Sequence, residues 1–164
     1  MQRLALIGPG RWGRILVESV QGISKTVTFT QAVARSPTKA AKWCAAQGIA
    51  LSDDLITILS DPQIDGIVLA TPHSQHKDQI MQAVQAGKDL FCEKPIALTL
   101  ADAKTALQAV KNAGIVFAAG HNRRFLPAVE RMKTMIRSGD LGTILHIEGN
   151  MSSHVGFGEI YTSD

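Results

Sequence analysis

Leu4-Ala5-Leu6-Ile7-Gly8-Pro9-Gly10-Arg11-Trp12-Gly13 decides the fold. Four consecutive apolar residues read as a buried strand, and G-x-G-x-x-G follows at once and opens a helix. The first glycine permits a tight turn, the second lets the backbone approach a pyrophosphate, and the third lets the helix pack close to the strand. A helix N-terminus then offers free N–H groups and the positive end of its dipole to phosphates. In this strand–turn–helix context, Gly8, Gly10, Arg11, Trp12 and Gly13 read as a dinucleotide-binding turn, with a merely structural turn as the plainer alternative.

Working outward, short apolar runs alternate with helical patterns. Leu4 to Ile7, Val27 to Ala34, Ile67 to Ala70, Asp89 to Cys92 and Ile115 to Ala118 read as strands. The first, third and fifth are nearly continuous in apolar residues, as expected of a parallel sheet covered on both faces. Between them, Ser36-Pro37 reads as an N-cap followed by proline at the first helical position, in a helix ending before Gly48. Ile80, Ala83 and Val84 make one apolar face of a helix that stops at Gly87. Leu100, Ala103, Leu107 and Val110 repeat the pattern, with Thr99 and Asp102 as a capping pair and Gly114 at the end. The β-α-β-α order predicts an α/β fold: a Rossmann-type, doubly wound parallel sheet with helices on both faces.

The second strand ends in Ala34-Arg35-Ser36, about 20 residues beyond the glycine turn, where an NAD site usually places Asp or Glu on the ribose 2′-hydroxyl. Here no carboxylate repels a 2′-phosphate, while a guanidinium and a hydroxyl are available to bind one. Arg35 and Ser36 therefore point to NADP, with NAD as the alternative; the plainer reading makes them a solvated charge and a helix cap.

Glu93-Lys94-Pro95 follows the apolar run Leu90-Phe91-Cys92. The carboxyl edge of an open α/β sheet is where ligands bind. A lysine there can donate a hydrogen bond or relay a proton, although such loops also carry Glu, Lys and Pro as ordinary turn residues.

The composition fits this reading. The 164 residues are 45% hydrophobic and 19% charged, with a net charge of +3. That is the profile of a globular domain with a sizeable core. No dense Lys/Arg block supports nucleic-acid binding, and no apolar run is long enough for a membrane span. The N-terminus lacks the zones of a signal peptide. Cys44 and Cys92 are too few for a disulfide framework or a zinc site, so no metal is expected and a cytoplasmic location is.

Together, Gly8 to Gly13, Thr71-Pro72-His73-Ser74-Gln75-His76, Glu93-Lys94-Pro95 and Gly120-His121-Asn122-Arg123-Arg124-Phe125 resemble the Gfo/Idh/MocA family of NAD(P)-dependent oxidoreductases, from Met1 to about Met151. The resemblance implies that Thr71 and Pro72 lie beside the dinucleotide and His76 beside the nicotinamide ribose. It places Glu93 and Lys94 near the nicotinamide and the substrate, with Lys94 as the catalytic residue on the reacting oxygen. Pro95 would shape that loop, through a cis bond if one forms. Asn122 and Arg123 match a stretch along the cofactor site, whereas His121 stands where the family usually has an apolar residue. His73 reads as a polar helix start.

The implied function is hydride transfer between the nicotinamide and a carbinol or ketone on a sugar, polyol or related small molecule. A non-catalytic nucleotide-binding or interaction module is the alternative. Residues 1–120 are expected to form the dinucleotide-binding domain. Residues 121–164 are expected to supply a helix around Val129, Met132 and Ile136, stopping at Gly139, and the first strand, Thr143 to Met151, of a truncated α+β substrate or dimerisation domain. The family's downstream Asp/His pair has no counterpart, and His154 matches no motif. An unpaired strand at Thr143 to Met151 would favour a homo-oligomer.

Overall fold

The computed structural model describes residues 1–150. The described residues divide into two compact units after Gly120.

The first unit is built on six parallel strands: β1 (Gln2–Ile7), β2 (Val27–Val33), β3 (Ala50–Ser52), β4 (Gly66–Leu69), β5 (Asp89–Cys92) and β6 (Phe117–Ala119), in the order β3-β2-β1-β4-β5-β6. The direction of winding reverses between β1 and β4, which is the switch point of a doubly wound sheet. Five helices accompany the strands: α1 (Arg11–Glu18), α2 (Ala41–Ala46), α3 (Leu55–Ser60), α4 (His73–Gln85) and α5 (Leu100–Ala113).

Side chains alternate along a strand, so continuous apolar runs supply both faces of the sheet. Ala5 and Ile7 of β1 and Ile67 and Leu69 of β4 pack with Ile58 of α3, Ile80 and Ala83 of α4 and Ala106 of α5. Leu6 and Val68 point the other way and pack with Val17 of α1 and Cys44 of α2. Leu6 is fully buried, which contributes about 1.5–3 kcal/mol by area alone.

Five strands and four helices of this unit were legible in the sequence, with differences. The run at Ile115 to Ala118 pairs only from Phe117, as the edge strand β6, and is not covered on both faces. Two short elements, β3 and α3, escaped the reading. The Ser36 hydroxyl caps nothing; a 3₁₀ turn, Pro37–Lys39, precedes α2. On α5 the buried residues are Ala106 and Val110, while Leu100 is 71% and Leu107 43% exposed. Small residues let this helix lie close to its neighbours, so the leucines are turned outward. Thr99 does cap it, accepting from the Asp102 amide at 3.1 Å, and Gly114 closes it at φ 69°.

The second unit holds a 3₁₀ turn, Asn122–Phe125, and α6 (Pro127–Ser138), which ends at Gly139 with φ 82°. Lys133 Nζ donates to the Arg124 carbonyl at 2.8 Å and to Glu130 at 2.6 Å, tying the turn to the helix. The strand expected at Thr143 to Met151 is not formed over residues 143–150; Met151 and His154 lie outside the described residues. A strand exists only through a ladder to a neighbour, and none of the described residues supplies one. The edge-pairing route to self-association therefore has no strand to build on there.

Candidate cofactor and active site

The carboxyl ends of β1, β4 and β5 are stitched together by backbone bonds. Ala70 N–H donates to Ile7 O at 2.9 Å, Glu93 N–H to Leu69 O at 3.0 Å, and Gly120 N–H to Cys92 O at 2.8 Å. The sequence-predicted loops thus emerge side by side at the switch point.

The three glycines of the first loop have three different physical reasons. Gly8 holds φ 91°, and a Cβ there would also stand 2.8 Å from the Ala70 carbonyl oxygen. A Cβ on Gly13 would collide with the Gly8 carbonyl and press on Leu6. Gly10 is different: nothing lies within 4 Å of where its Cβ would be. That open space lies at the N-cap of α1, where no side chain caps the helix and no acid occupies the first turn. The orphan N–H groups and the dipole end therefore remain available to an anion. These residues fit a dinucleotide pyrophosphate. Arg11 and Trp12 are exposed in the same first turn.

Arg35 and Ser36 are exposed just beyond β2, and no side-chain partner engages Arg35 among the described residues. Thr71 lies past β4, its hydroxyl donating to Gln79 Oε1 at 2.5 Å, and exposed Pro72 is the N-cap position of α4.

His76, which the resemblance places beside the nicotinamide ribose, is an interior residue. Its ring is fully buried, with Nε2 2.9 Å from the Thr71 carbonyl and Nδ1 2.7 Å from the Pro95 carbonyl. It joins the loop after β4 to the loop after β5 instead of presenting a free polar edge. His73 packs edge-on to it, with ring centroids 5.7 Å apart. Burial, then the nearby His76 and Lys94, push the His73 pKa down, against a smaller opposing effect of Glu93.

Lys94 is exposed at the end of β5, and the Lys94–Pro95 bond is cis. Glu93 beside it is 6% exposed. Its Oε2 accepts from the Lys94 amide at 3.3 Å, while Oε1 is buried without a partner among the described residues. A buried acceptor left open is costly in a finished fold and is expected where a donor arrives with a ligand. Burial, with help from the Glu93 charge, pushes the neighbouring Cys92 thiol up to about 12.

Asn122 and Arg123 open the second unit in its 3₁₀ turn. Two contributors carried no role of their own in the sequence reading. Gly120 packs against the Glu93 carboxyl, and a glycine directly after a strand is the signal that could have flagged it. Arg14 bonds the glycine loop through Pro9 O, at 3.1 Å, and no spacing rule announces that contact. A groove of about 780 Å³ between α4 and α5, bordered by Met81 and Leu107, contains none of the candidate residues.

Comparison with known proteins agrees with this geometry. Residues 2–121 match the model of the Gfo/Idh/MocA oxidoreductase family, NAD-binding Rossmann fold. The chain is 34% identical over 156 residues to scyllo-inositol 2-dehydrogenase (NAD(+)) of Bacillus subtilis, covering 90% of this chain and 43% of that protein. It is 26% identical over 140-odd residues to myo-inositol 2-dehydrogenase of Thermotoga maritima, covering 85% of this chain and 42% of that protein. The fold superposes on the crystal structure of scyllo-inositol dehydrogenase from Lactobacillus casei, with bound NAD(H) and scyllo-inositol, at a TM-score of 0.81 and 24% identity, covering 87% of this chain and 42% of that one. The chain thus spans less than half the length of these relatives. From its first strand to Gly120, the chain belongs to the Gfo/Idh/MocA oxidoreductase family, in its NAD(P)-binding Rossmann part.

Proposed function

We propose that this chain is the dinucleotide-binding part of an oxidoreductase that moves hydride between a nicotinamide and a carbinol carbon of a small polyol or sugar-like substrate. One observation carries the reading: the open turn at Gly10 and the Glu93–Lys94 loop emerge at the same carboxyl edge of the parallel sheet, after β1 and β5 on either side of β4. The bound nicotinamide supplies the hydride chemistry at its C4. Lys94 is the catalytic residue of this reading. In the oxidation direction the neutral form of its amine would accept the substrate hydroxyl proton while hydride leaves the carbon for the nicotinamide, and the ammonium so formed would release a proton to solvent. The open acceptor on Glu93 suits a hydroxyl or amide donor on the nicotinamide side. By the family resemblance Asn122 and Arg123 are assigned to the cofactor, and His76 supports the loops after β4 and β5 from within. The relatives named for inositol substrates support the substrate class.

For the cofactor, exposed Arg35 and Ser36, with no carboxylate next to them in the sequence, support NADP through the 2′-phosphate. A second reading, NAD, is favoured by the relative named for NAD(+) and by the fold neighbour crystallised with NAD(H). Fluorescence titrations of NADPH and NADH against the wild type and Arg35→Ala decide between them. Tighter NADPH binding that Arg35→Ala abolishes supports NADP; tighter NADH binding, or no effect of the substitution, sinks it. Turnover on a panel of polyols and sugars, lost in Lys94→Ala with cofactor binding kept, supports the oxidoreductase reading. Binding of both nucleotides with no turnover on any substrate favours a non-catalytic module.

A further inference from the structure

Arg14 lies on α1, one residue past the last glycine of the turn, and touches three things at once. Its Nε donates to Pro9 O at 3.1 Å, inside the glycine loop. Its Nη2 donates to Lys39 O at 3.1 Å, at the end of the 3₁₀ turn that follows Arg35 and Ser36. Its guanidinium carbon lies over the Trp43 ring of α2, 5.3 Å from the centroid. Trp43 is itself held, its indole N–H donating to Glu18 Oε1 at 2.8 Å, back on α1. The result is a closed bracket: α1 to the glycine loop, α1 to the loop after β2, and α2 back to α1.

We infer that Arg14 is a positioning residue that fixes the distance between the pyrophosphate turn and the Arg35–Ser36 loop, and so sets which nucleotide 2′-substituent the site accepts. The inference rests on the proposed dinucleotide site, not on which cofactor it prefers. A ligand held at both ends gains from a fixed spacing, because the second contact forms at high effective concentration. A ligand held chiefly at one end gains little. A planar fork can donate to two carbonyls while sitting over an indole, so a lysine keeps the charge but not the bracket. Both Arg14 bonds end on backbone oxygens, which leaves the exposed Arg35 guanidinium to meet the ligand.

The test is the ratio of NADH to NADPH dissociation constants, measured by fluorescence or calorimetry on the whole chain, with no turnover required. For Arg14→Met the ratio is expected to move toward one by about fivefold or more, and Arg14→Lys is expected to do the same. In the Arg35→Ala background the Arg14→Met effect on NADPH is expected to vanish, because the two act through one contact. Trp43→Phe, a milder change that frees the ring from Glu18, is expected to shift the ratio in the same direction by less. Equal weakening of both nucleotides by Arg14→Met and Trp43→Phe overturns the inference, since that is what loss of a structural contact alone does. A wild-type ratio in Arg14→Lys overturns it too, because charge would then be sufficient. A wild type that prefers NADH refutes only the 2′-phosphate reading. The bracket then stands or falls on whether the ratio moves.

Discussion

Gly120 and Glu93 are in direct contact: a Cβ at position 120 would sit 2.5 Å from Glu93 Oε1 and 2.7 Å from its Cδ. The buried carboxyl of the Glu-Lys-Pro loop is seated on the one residue type that leaves it room. Gly120 is hydrogen-bonded to Cys92 O at 2.8 Å, so its backbone cannot easily withdraw. Gly120→Ala is therefore expected to push the carboxyl out of its seat, at a cost of about 1–3 kcal/mol in urea unfolding. Weaker dinucleotide binding is expected with it. Unchanged stability and unchanged nucleotide affinity would show that Glu93 is free to move, contrary to its burial.

The glycine loop gives a paired prediction with opposite signs. Gly10→Ala adds a methyl group to open space, so folding is expected to be kept while the methyl occupies the path of the pyrophosphate. Gly13→Ala drives a methyl group into the Gly8 carbonyl. That contact is backbone on backbone, and a loss of about 2 kcal/mol or more is expected. Thermal unfolding and NADPH titration of both variants check the pair. If Gly10→Ala destabilises more than Gly13→Ala, the assignment of roles within the loop is wrong.

Much of this was legible because it is local. The glycine turn needs three glycines at fixed spacing, and the capping pair Thr99 and Asp102 lies within one helical turn, so short windows reveal both. The elements β3 and α3 span three and six residues, too short for a period to emerge. The face of α5 was misread because leucine is the more apolar residue, whereas close packing selected Ala106. The burial of His76 was not legible for a non-local reason: its second partner, Pro95, is 19 residues away, and only the pairing of β4 with β5 brings them together.

Cys92 and Cys44 are both buried free thiols. With the Cys92 thiol pushed up to about 12 by burial, its reactive thiolate is scarce at neutral pH. Burial also raises the Cys44 thiol, against a smaller opposing effect of Arg14. Neither cysteine is expected to react with iodoacetamide in the folded protein at pH 8, and both are expected to react in urea. Mass spectrometry after timed alkylation checks this; rapid labelling of Cys92 in the native state would contradict its burial beneath the Glu-Lys-Pro loop.

The His76 ring bridges two carbonyl oxygens at 2.7 and 2.9 Å while fully buried. His76→Ala leaves the Thr71 and Pro95 carbonyls without this partner and opens a cavity, with an expected cost of about 2–4 kcal/mol. Asparagine places its amide near Nδ1 and can keep the Pro95 link; glutamine places its amide near Nε2 and can keep the Thr71 link. If His76 holds the Lys94 loop in place, amide exchange at Ile96 and Ala97 is expected to rise in His76→Ala and His76→Gln and to stay low in His76→Asn. NADPH binding is expected to weaken in step with that exchange. Exchange equal to wild type in all three variants would mean that the loop keeps its position without the ring.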